Sequence, residues 1–158
     1  MIDKVVKSAE VGSVNLPFPG YTGDIKIKPL NGDYALGPSM IHIRMEPGAF
    51  IPAHLHKKAA EVLCILDGDF INENKAYGSG DFLHSKPGTV HGPHTTKKGC
   101  SLLALYTANM GEADPNDFFL PRGQSAVEIV GLSQRTTRPD VLHRHGTREL
   151  SSLATGVC

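Results

Sequence analysis

The sequence predicts an all-β fold, a sandwich or barrel built from short strands. Apolar and polar residues alternate over short runs, turn-forming residues separate these runs, and no segment before residue 110 keeps a helical period. The 158 residues include 17 glycines and 11 prolines, a high content that fits many strands joined by turns. The length favours one domain with a sizeable core.

The predicted elements follow one another along the barrel part of the chain. Pro17, Pro19 and Gly20 interrupt regular structure in an irregular N-terminal arm. We expect strands at about residues 25–30, 40–45, 50–56, 61–66, 69–73, 81–84, 90–91 and 101–107.

The chain changes character after residue 109, where a polar linker begins. We therefore divide it into an arm plus barrel at 1–109 and a C-terminal extension at 110–158, packed on the barrel or partly flexible. Within the extension, the apolar residues 118–121 are expected to pack on the barrel or on a partner subunit. Residues 126–132 are compatible with one more strand.

Three histidines and a glutamate predict a metal site. His54 and His56 are two residues apart, so on a strand their side chains point the same way. Residues 57–60 leave room for a turn, and Glu61 begins the next predicted strand. If the two strands formed a hairpin, Glu61 would lie across from the histidines. His91 follows a Pro-Gly turn signal. Imidazole and carboxylate are common metal ligands, so we expect one divalent metal ion per chain on these four residues.

A second pair of the same kind, His143 and His145 followed by Glu149, lies near the end of the chain. Too few residues follow it for another hairpin and a third histidine. We expect no second metal site there.

The spacing of the first site resembles that of the cupin superfamily. Gly48, His54, His56, Glu61 and Gly68 match the first cupin motif at every position. The second motif is matched by Gly80, Gly88 and His91, while Lys86 and Thr95 stand where proline and asparagine are expected. The resemblance implies a double-stranded β-helix, the cupin jelly-roll barrel.

Residues 14 to 109 resemble more closely one branch of that superfamily. It contains the cupin domain of zinc-binding anti-sigma factors and small dioxygenases that cleave 2,4'-dihydroxyacetophenone or acetylacetone. Some of these dioxygenases take their carboxylate ligand from a later strand. The resemblance therefore makes Glu73 a reserve ligand if Glu61 points away.

The resemblance and the ligand set together predict a function. Three histidines and one carboxylate are close to the arrangement of non-haem Fe(II) oxygenases, with positions left open for substrate and O₂. The first hypothesis is a metal-dependent dioxygenase that cleaves a C–C bond next to a carbonyl in a small diketone or hydroxyketone. Fe(II) would serve this chemistry, and Zn, Ni or Mn fit the same ligands. The alternatives are a zinc-binding sensor or regulatory module and a non-redox metal-dependent isomerase.

A pocket beside the metal is expected to have apolar walls with a few polar groups. His42 and Arg44 share one strand face, which lies either at the pocket mouth or on the exposed side of the sheet. His84 and His94 flank His91 and are expected at the surface or behind the ligands. The candidate pocket residues are His42, Arg44, Phe50, Leu63, Ile65, Phe82 and Tyr106.

Charge and targeting signals exclude several classes of partner. The formal net charge is zero, so nothing indicates nucleic acid or an acidic membrane surface. Neither a signal peptide nor a membrane span is evident, and three cysteines are too few and odd in number for a disulfide framework. We expect a cytoplasmic protein with a small-molecule substrate. A homodimer would cover an unpaired edge strand.

Overall fold

The computed structural model of the protein describes residues 5–31, 38–107 and 117–121. In these ranges a short 3₁₀ helix, Ser8–Glu10, precedes ten β-strands. The strands are β1 (Val14–Asn15), β2 (Ile25–Pro29), β3 (Ser39–Met45), β4 (Phe50–Ile51), β5 (Glu61–Gly68), β6 (Phe70–Asn72), β7 (Lys75–Tyr77), β8 (Phe82–Ser85), β9 (His94–Thr95) and β10 (Cys100–Tyr106).

The strands form two antiparallel sheets that face each other. The larger sheet has the order β1-β2-β3-β10-β5-β8, and the smaller has the order β4-β9-β6-β7. One cluster of buried side chains takes Ile43, Leu63 and Leu102 from the first sheet and Ile51 and Phe70 from the second. The predicted fold class, an all-β jelly roll, is confirmed.

The alternation that predicted the larger sheet is clearest in β10, its central strand between β3 and β5. Cys100, Leu102, Ala104 and Tyr106 are buried, and the residues between them are only partly covered. An antiparallel sheet with one face on the core requires this period of two. The inner face of β10 therefore forms one wall of the core.

The smaller sheet departs most from the predicted elements. The expected strand at 50–56 ends at Ile51, and only isolated bridges at His54 and Leu55 continue the pairing. Residues 90–91 contribute one such bridge, at His91. β7 and β9 of the smaller sheet, like β1 of the larger sheet, are additional strands of two or three residues, too short to show an alternation of apolar and polar residues.

The described part of the C-terminal extension lies on the barrel. Phe118 belongs to the core cluster, and the backbones of Leu55 and Phe119 exchange two hydrogen bonds of 3.0 Å. The candidate strand at 126–132 and the second histidine pair, His143 and His145, lie outside the described residues. No helix in the described ranges has the length and apolar character needed to cross a membrane.

The two glycines that bracket the first motif are needed for different reasons. Both have a positive φ, +80° at Gly48 and +84° at Gly68. A Cβ on Gly48 would meet open space, whereas a Cβ on Gly68 would lie 2.0 Å from the carbonyl oxygen of Gly99. Gly68 therefore allows the end of β5 to approach the chain that leads into β10.

This difference predicts unequal effects of the same substitution. Gly48→Ala should lower the free energy of unfolding by about 1 kcal/mol, because a side chain is strained at positive φ. Gly68→Ala should lower it by about 3 kcal/mol or more, because steric overlap with backbone is added to that strain. Urea denaturation followed by circular dichroism measures both changes. Equal losses for the two variants would contradict the close approach at Gly68.

Candidate metal centre

His54 and His56 point into the barrel from an extended segment. The backbones of His54 and His91 exchange two hydrogen bonds of 2.9 Å, which fixes the two segments side by side. Leu55, between the two histidines, pairs instead with Phe119. His54, His56 and His91 are all buried, as the alternation along an extended chain predicts for the HxH pair.

Glu61 reaches the histidines by a different route from the predicted hairpin. It is the first residue of β5, which pairs with β10 and β8, whereas β4 pairs with β9 in the other sheet. The hairpin prediction is therefore wrong, because residues 57–60 cross from one sheet to the other. Glu61 is buried and stands opposite Tyr106 on the inner face of the larger sheet.

Each histidine of the site donates a hydrogen bond from Nδ1 to a backbone carbonyl. His54 donates to Pro52 at 2.9 Å, His91 to Thr89 at 3.0 Å, and His56 to Asp117. A carbonyl can only accept, so Nδ1 carries the proton in all three rings. In its neutral form each ring therefore presents an Nε2 lone pair to the interior, which is the tautomer that binding a metal through Nε2 requires.

The four side chains converge on one point. One potential ligand atom from each of His54, His56, Glu61 and His91 lies within 4.8 Å of all the others. The Nε2 atom of His91 is 3.0 Å from Nε2 of His54 and 2.9 Å from Oε2 of Glu61. The Nε2 atom of His56 is 3.7 Å from Oε1 of Glu61 and has no hydrogen-bond partner among the described residues.

The charges in this cluster are strongly coupled. Burial would raise the pKa of Glu61, but the adjacent side chains of His56 and His91 outweigh burial and hold that pKa well below its usual value. Burial would likewise lower the pKa of His91, but the hydrogen bond and charge of Glu61 outweigh it and raise that pKa. For His54, burial dominates and the pKa is well below its usual value. Glu61 is thus an ionised carboxylate in the interior.

This donor set fits one divalent metal ion. A buried carboxylate needs a compensating charge, and two imidazole lone pairs 3.0 Å apart repel unless a cation or a proton lies between them. Ligands about 2.1 Å from a metal and at right angles to one another are themselves about 3 Å apart. The cluster could therefore hold a metal ion, and its nitrogen and oxygen atoms suit Fe, Mn, Ni and Zn alike.

The cluster borders a small cavity, of about 20 Å³, between the two sheets. His54 and Glu61 form part of its wall, together with His94 and Tyr106. The remaining wall is apolar and consists of Leu16, Phe18, Ile43, Met45, Ile51, Leu63, Phe70, Leu102 and Phe118.

Two of the seven candidate pocket residues, Leu63 and Tyr106, line this cavity. Burial, followed by the nearby carboxylate of Glu61, raises the pKa of Tyr106 well above its usual value, so its hydroxyl stays neutral. Phe50 and Ile65 are buried but are not part of the cavity wall.

The other three candidates lie on the outer face of the larger sheet and not in the pocket. His42 bonds to Ser101 Oγ at 2.7 Å, and Arg44 donates to Glu46 at 3.2 Å. Phe82 is 71% exposed. The alternation along β3 separated two faces but did not show which was inside.

The reserve ligand Glu73 lies outside the cluster. It is exposed in the turn between β6 and β7, where it has a φ of +49°. Glu61 supplies the carboxylate of the four-residue group. The side chain of Glu73 instead contributes a distant negative charge that helps to raise the pKa of His91.

His94, expected at the surface or behind the ligands, lies in the interior beside the cluster and faces the cavity, which the sequence did not indicate. His94 is buried on β9, lines the cavity, and has no hydrogen-bond partner at either ring nitrogen among the described residues. Burial lowers the pKa of this imidazole to about 4. A strand of two residues gives no alternation from which its direction could have been read.

Asp117 is a second residue that the sequence did not reveal. Its buried carboxylate accepts hydrogen bonds from the backbone N–H groups of Lys57, Lys58 and Ala59 at 2.7, 3.0 and 3.0 Å. Its own carbonyl accepts the hydrogen bond from His56. Asp117 therefore fixes the loop between the HxH pair and the glutamate.

Next to Asp117, a stack of rings lines the cavity. The ring of Phe118 lies between Phe18, at a centroid distance of 4.5 Å, and His54, at 4.2 Å. The N-terminal arm and the C-terminal extension thus meet over the histidine cluster.

Comparison with known proteins identifies what this arrangement resembles. The model of a family described as the ChrR cupin-like domain matches residues 6–109. A comparison with curated proteins finds no match.

Solved structures share the fold at low sequence identity. A predicted oxalate decarboxylase from Thermotoga maritima is 20% identical, with a TM-score of 0.57 over 66% of this chain and 99% of that one. The polyketide cyclase RemF from Streptomyces resistomycificus is 19% identical, with a TM-score of 0.58 over 67% and 80%. An acetylacetone dioxygenase from Acinetobacter johnsonii is 12% identical, with a TM-score of 0.58 over 68% and 75%.

The contacts of Asp117 predict a large effect on stability. Asp117→Ala should lower the free energy of unfolding by about 2–3 kcal/mol, because three backbone N–H groups lose their acceptor. Asp117→Asn keeps one carbonyl oxygen and should lower it by about half as much. Denaturant titration measures these changes, with the exposed Asp67→Ala as the control, expected within about 0.5 kcal/mol of the unchanged protein. A loss in Asp117→Ala no larger than that of the control would contradict the anchoring role.

Proposed function

Because the chain belongs to the ChrR cupin-like domain family, we propose that its His54, His56, Glu61 and His91 cluster binds one divalent metal ion and that the protein is a metal-dependent enzyme. The finer proposal is a non-haem dioxygenase that cleaves a C–C bond next to a carbonyl in a small diketone or hydroxyketone. The observation that carries it is the position of the cluster at the wall of an apolar cavity.

The position of the cavity beside the cluster favours a small-molecule substrate over a purely structural metal site. Two of the four proposed ligands, His54 and Glu61, face it. A molecule in the cavity would therefore touch the metal site directly.

The character of the cavity wall favours a neutral carbonyl compound. Among the described residues that line the cavity there is no lysine or arginine. A phosphorylated or carboxylated substrate would have no lysine or arginine to pair with and would depend on the metal ion alone for compensation of its charge. This argues for a diketone or hydroxyketone, and against an isomerase that acts on anionic sugars.

The chain's own residues would prepare such a substrate for reaction. The apolar wall excludes water, and the carbonyl anchors of the three histidines hold Nε2 in place. The neutral hydroxyl of Tyr106 hydrogen-bonds to the carboxylate of Glu61 and helps to hold it beside the cavity. A bound redox-active metal such as Fe(II) would polarise the carbonyl and supply the chemistry toward O₂.

The shared fold of the acetylacetone dioxygenase from Acinetobacter johnsonii agrees with this proposal but does not by itself support it, since folds of this kind host several activities. The alternative is a zinc-binding regulatory module, for which no oxygen chemistry is expected. The predicted homodimer and cytoplasmic location stay predictions.

Metal analysis tests the binding site. The purified, untagged protein should carry about one metal ion per chain, and His91→Ala should retain less than about a tenth of that content, because one of four ligands is gone. The exposed His84→Ala, seven residues earlier, is the matched control and should bind metal normally. Full occupancy in His91→Ala would contradict the ligand assignment.

Oxygen uptake tests the reaction. Protein loaded with Fe(II) under anaerobic conditions should consume O₂ when 2,4-pentanedione or a hydroxyacetophenone is added, and one O₂ should disappear per substrate cleaved. His91→Ala should lower the rate by at least about a hundredfold, since the metal that brings the two reactants together is lost. A protein that retains only zinc and takes up no oxygen after Fe(II) loading would rule out the dioxygenase and favour the regulatory alternative.

A further inference from the structure

His94 is a buried polar side chain that the proposed metal site does not use. It lies on β9 between Ile51 of β4 and Asn72 of β6, and its ring points into the cavity. Its ring centroid is 5.5 Å from that of His54 and 5.7 Å from that of His91. It does not belong to the group of four whose ligand atoms lie within 4.8 Å of one another.

The surroundings of His94 leave its polar atoms without a protein partner. The residue is 3% exposed, and neither Nδ1 nor Nε2 has a hydrogen-bond partner among the described residues. Phe70 packs 5.0 Å away, centroid to centroid. Burying a donor and an acceptor in this way is unfavourable, and an apolar side chain of similar size would avoid the penalty. A histidine here makes physical sense if something in the cavity hydrogen-bonds to it.

We propose that His94 is a substrate-binding residue, which hydrogen-bonds one oxygen of a ligand whose other oxygen lies at the His54–Glu61 side of the cavity. This inference rests on the proposed function and narrows its substrate class. The ligand is a small neutral molecule with an apolar body and two oxygens a few ångströms apart, as in the enol form of a β-diketone. A neutral imidazole has one N–H and one lone pair, so it can donate to a carbonyl or accept from an enol hydroxyl.

The proposal predicts effects of opposite sign on stability and on binding. His94→Leu should raise the melting temperature of the ligand-free protein by roughly 3 °C, because two unpaired polar atoms leave the core. The same variant should weaken the binding of 2,4-pentanedione about tenfold, because the hydrogen bond is lost. His94→Gln, which keeps a donor and an acceptor, should recover part of that affinity.

The experiment uses protein loaded with zinc, which supplies the metal without oxygen chemistry, and measures diketone affinity by calorimetry. Zinc affinity is measured in the same variants and should stay within about twofold of that of the unchanged protein, because His94 lies outside the ligand group. His84→Leu, an exposed histidine on β8, is the control and should change neither quantity.

The results distinguish a role of His94 in substrate binding from a role as a metal ligand. Unchanged diketone affinity in His94→Leu, or no diketone binding by the unchanged protein, would overturn the role of His94. A fall in zinc affinity of about tenfold or more in His94→Leu would make the residue a metal ligand and also overturn it. If the unchanged protein binds no zinc, the metal proposal fails, and diketone binding to metal-free protein and to His94→Leu still tests His94.

Discussion

The site depends on three hydrogen bonds from imidazole Nδ1 atoms to backbone carbonyls. They fix the tautomer of His54, His56 and His91, so that the Nε2 lone pairs meet beside the carboxylate of Glu61. Without these bonds, either ring nitrogen could carry the proton and each ring could rotate. Two of the acceptors, at Pro52 and Thr89, lie only two residues before their histidines, whereas the third comes from the distant residue 117.

That third acceptor makes the C-terminal extension part of the site. Asp117 anchors the loop after His56 through its carboxylate and holds the His56 ring through its carbonyl. The next residue, Phe118, stacks between Phe18 and His54. The segment that orients a proposed metal ligand therefore also lines the cavity, so the metal site and the cavity are built by the same few residues. Any movement of this segment would alter both together.

The cavity combines an ionised cluster with a largely apolar wall, and this contrast gives the site its chemical character. The carboxylate of Glu61 and the imidazoles concentrate donors at one place, while side chains such as Ile51 and Leu102 exclude water elsewhere. In surroundings of low polarity, a cation on the cluster would act strongly on a neutral ligand. His94 differs from the apolar side chains around it, because its nitrogen atoms have no hydrogen-bond partner among the described residues to offset their burial.

By itself, the sequence determined the all-β class and the four converging residues, because strand alternation and motif spacing are local properties of the chain. Alternation could separate His42 and Arg44 from Ile43, but only the packing of the two sheets decided which side became the interior. Local patterns also could not show that the predicted hairpin was wrong, because β5 pairs with β10, which lies far away in the chain. The directions of the His94 and Asp117 side chains were decided by tertiary structure alone. A two-residue strand and an isolated loop segment are oriented only by their contacts with distant parts of the chain.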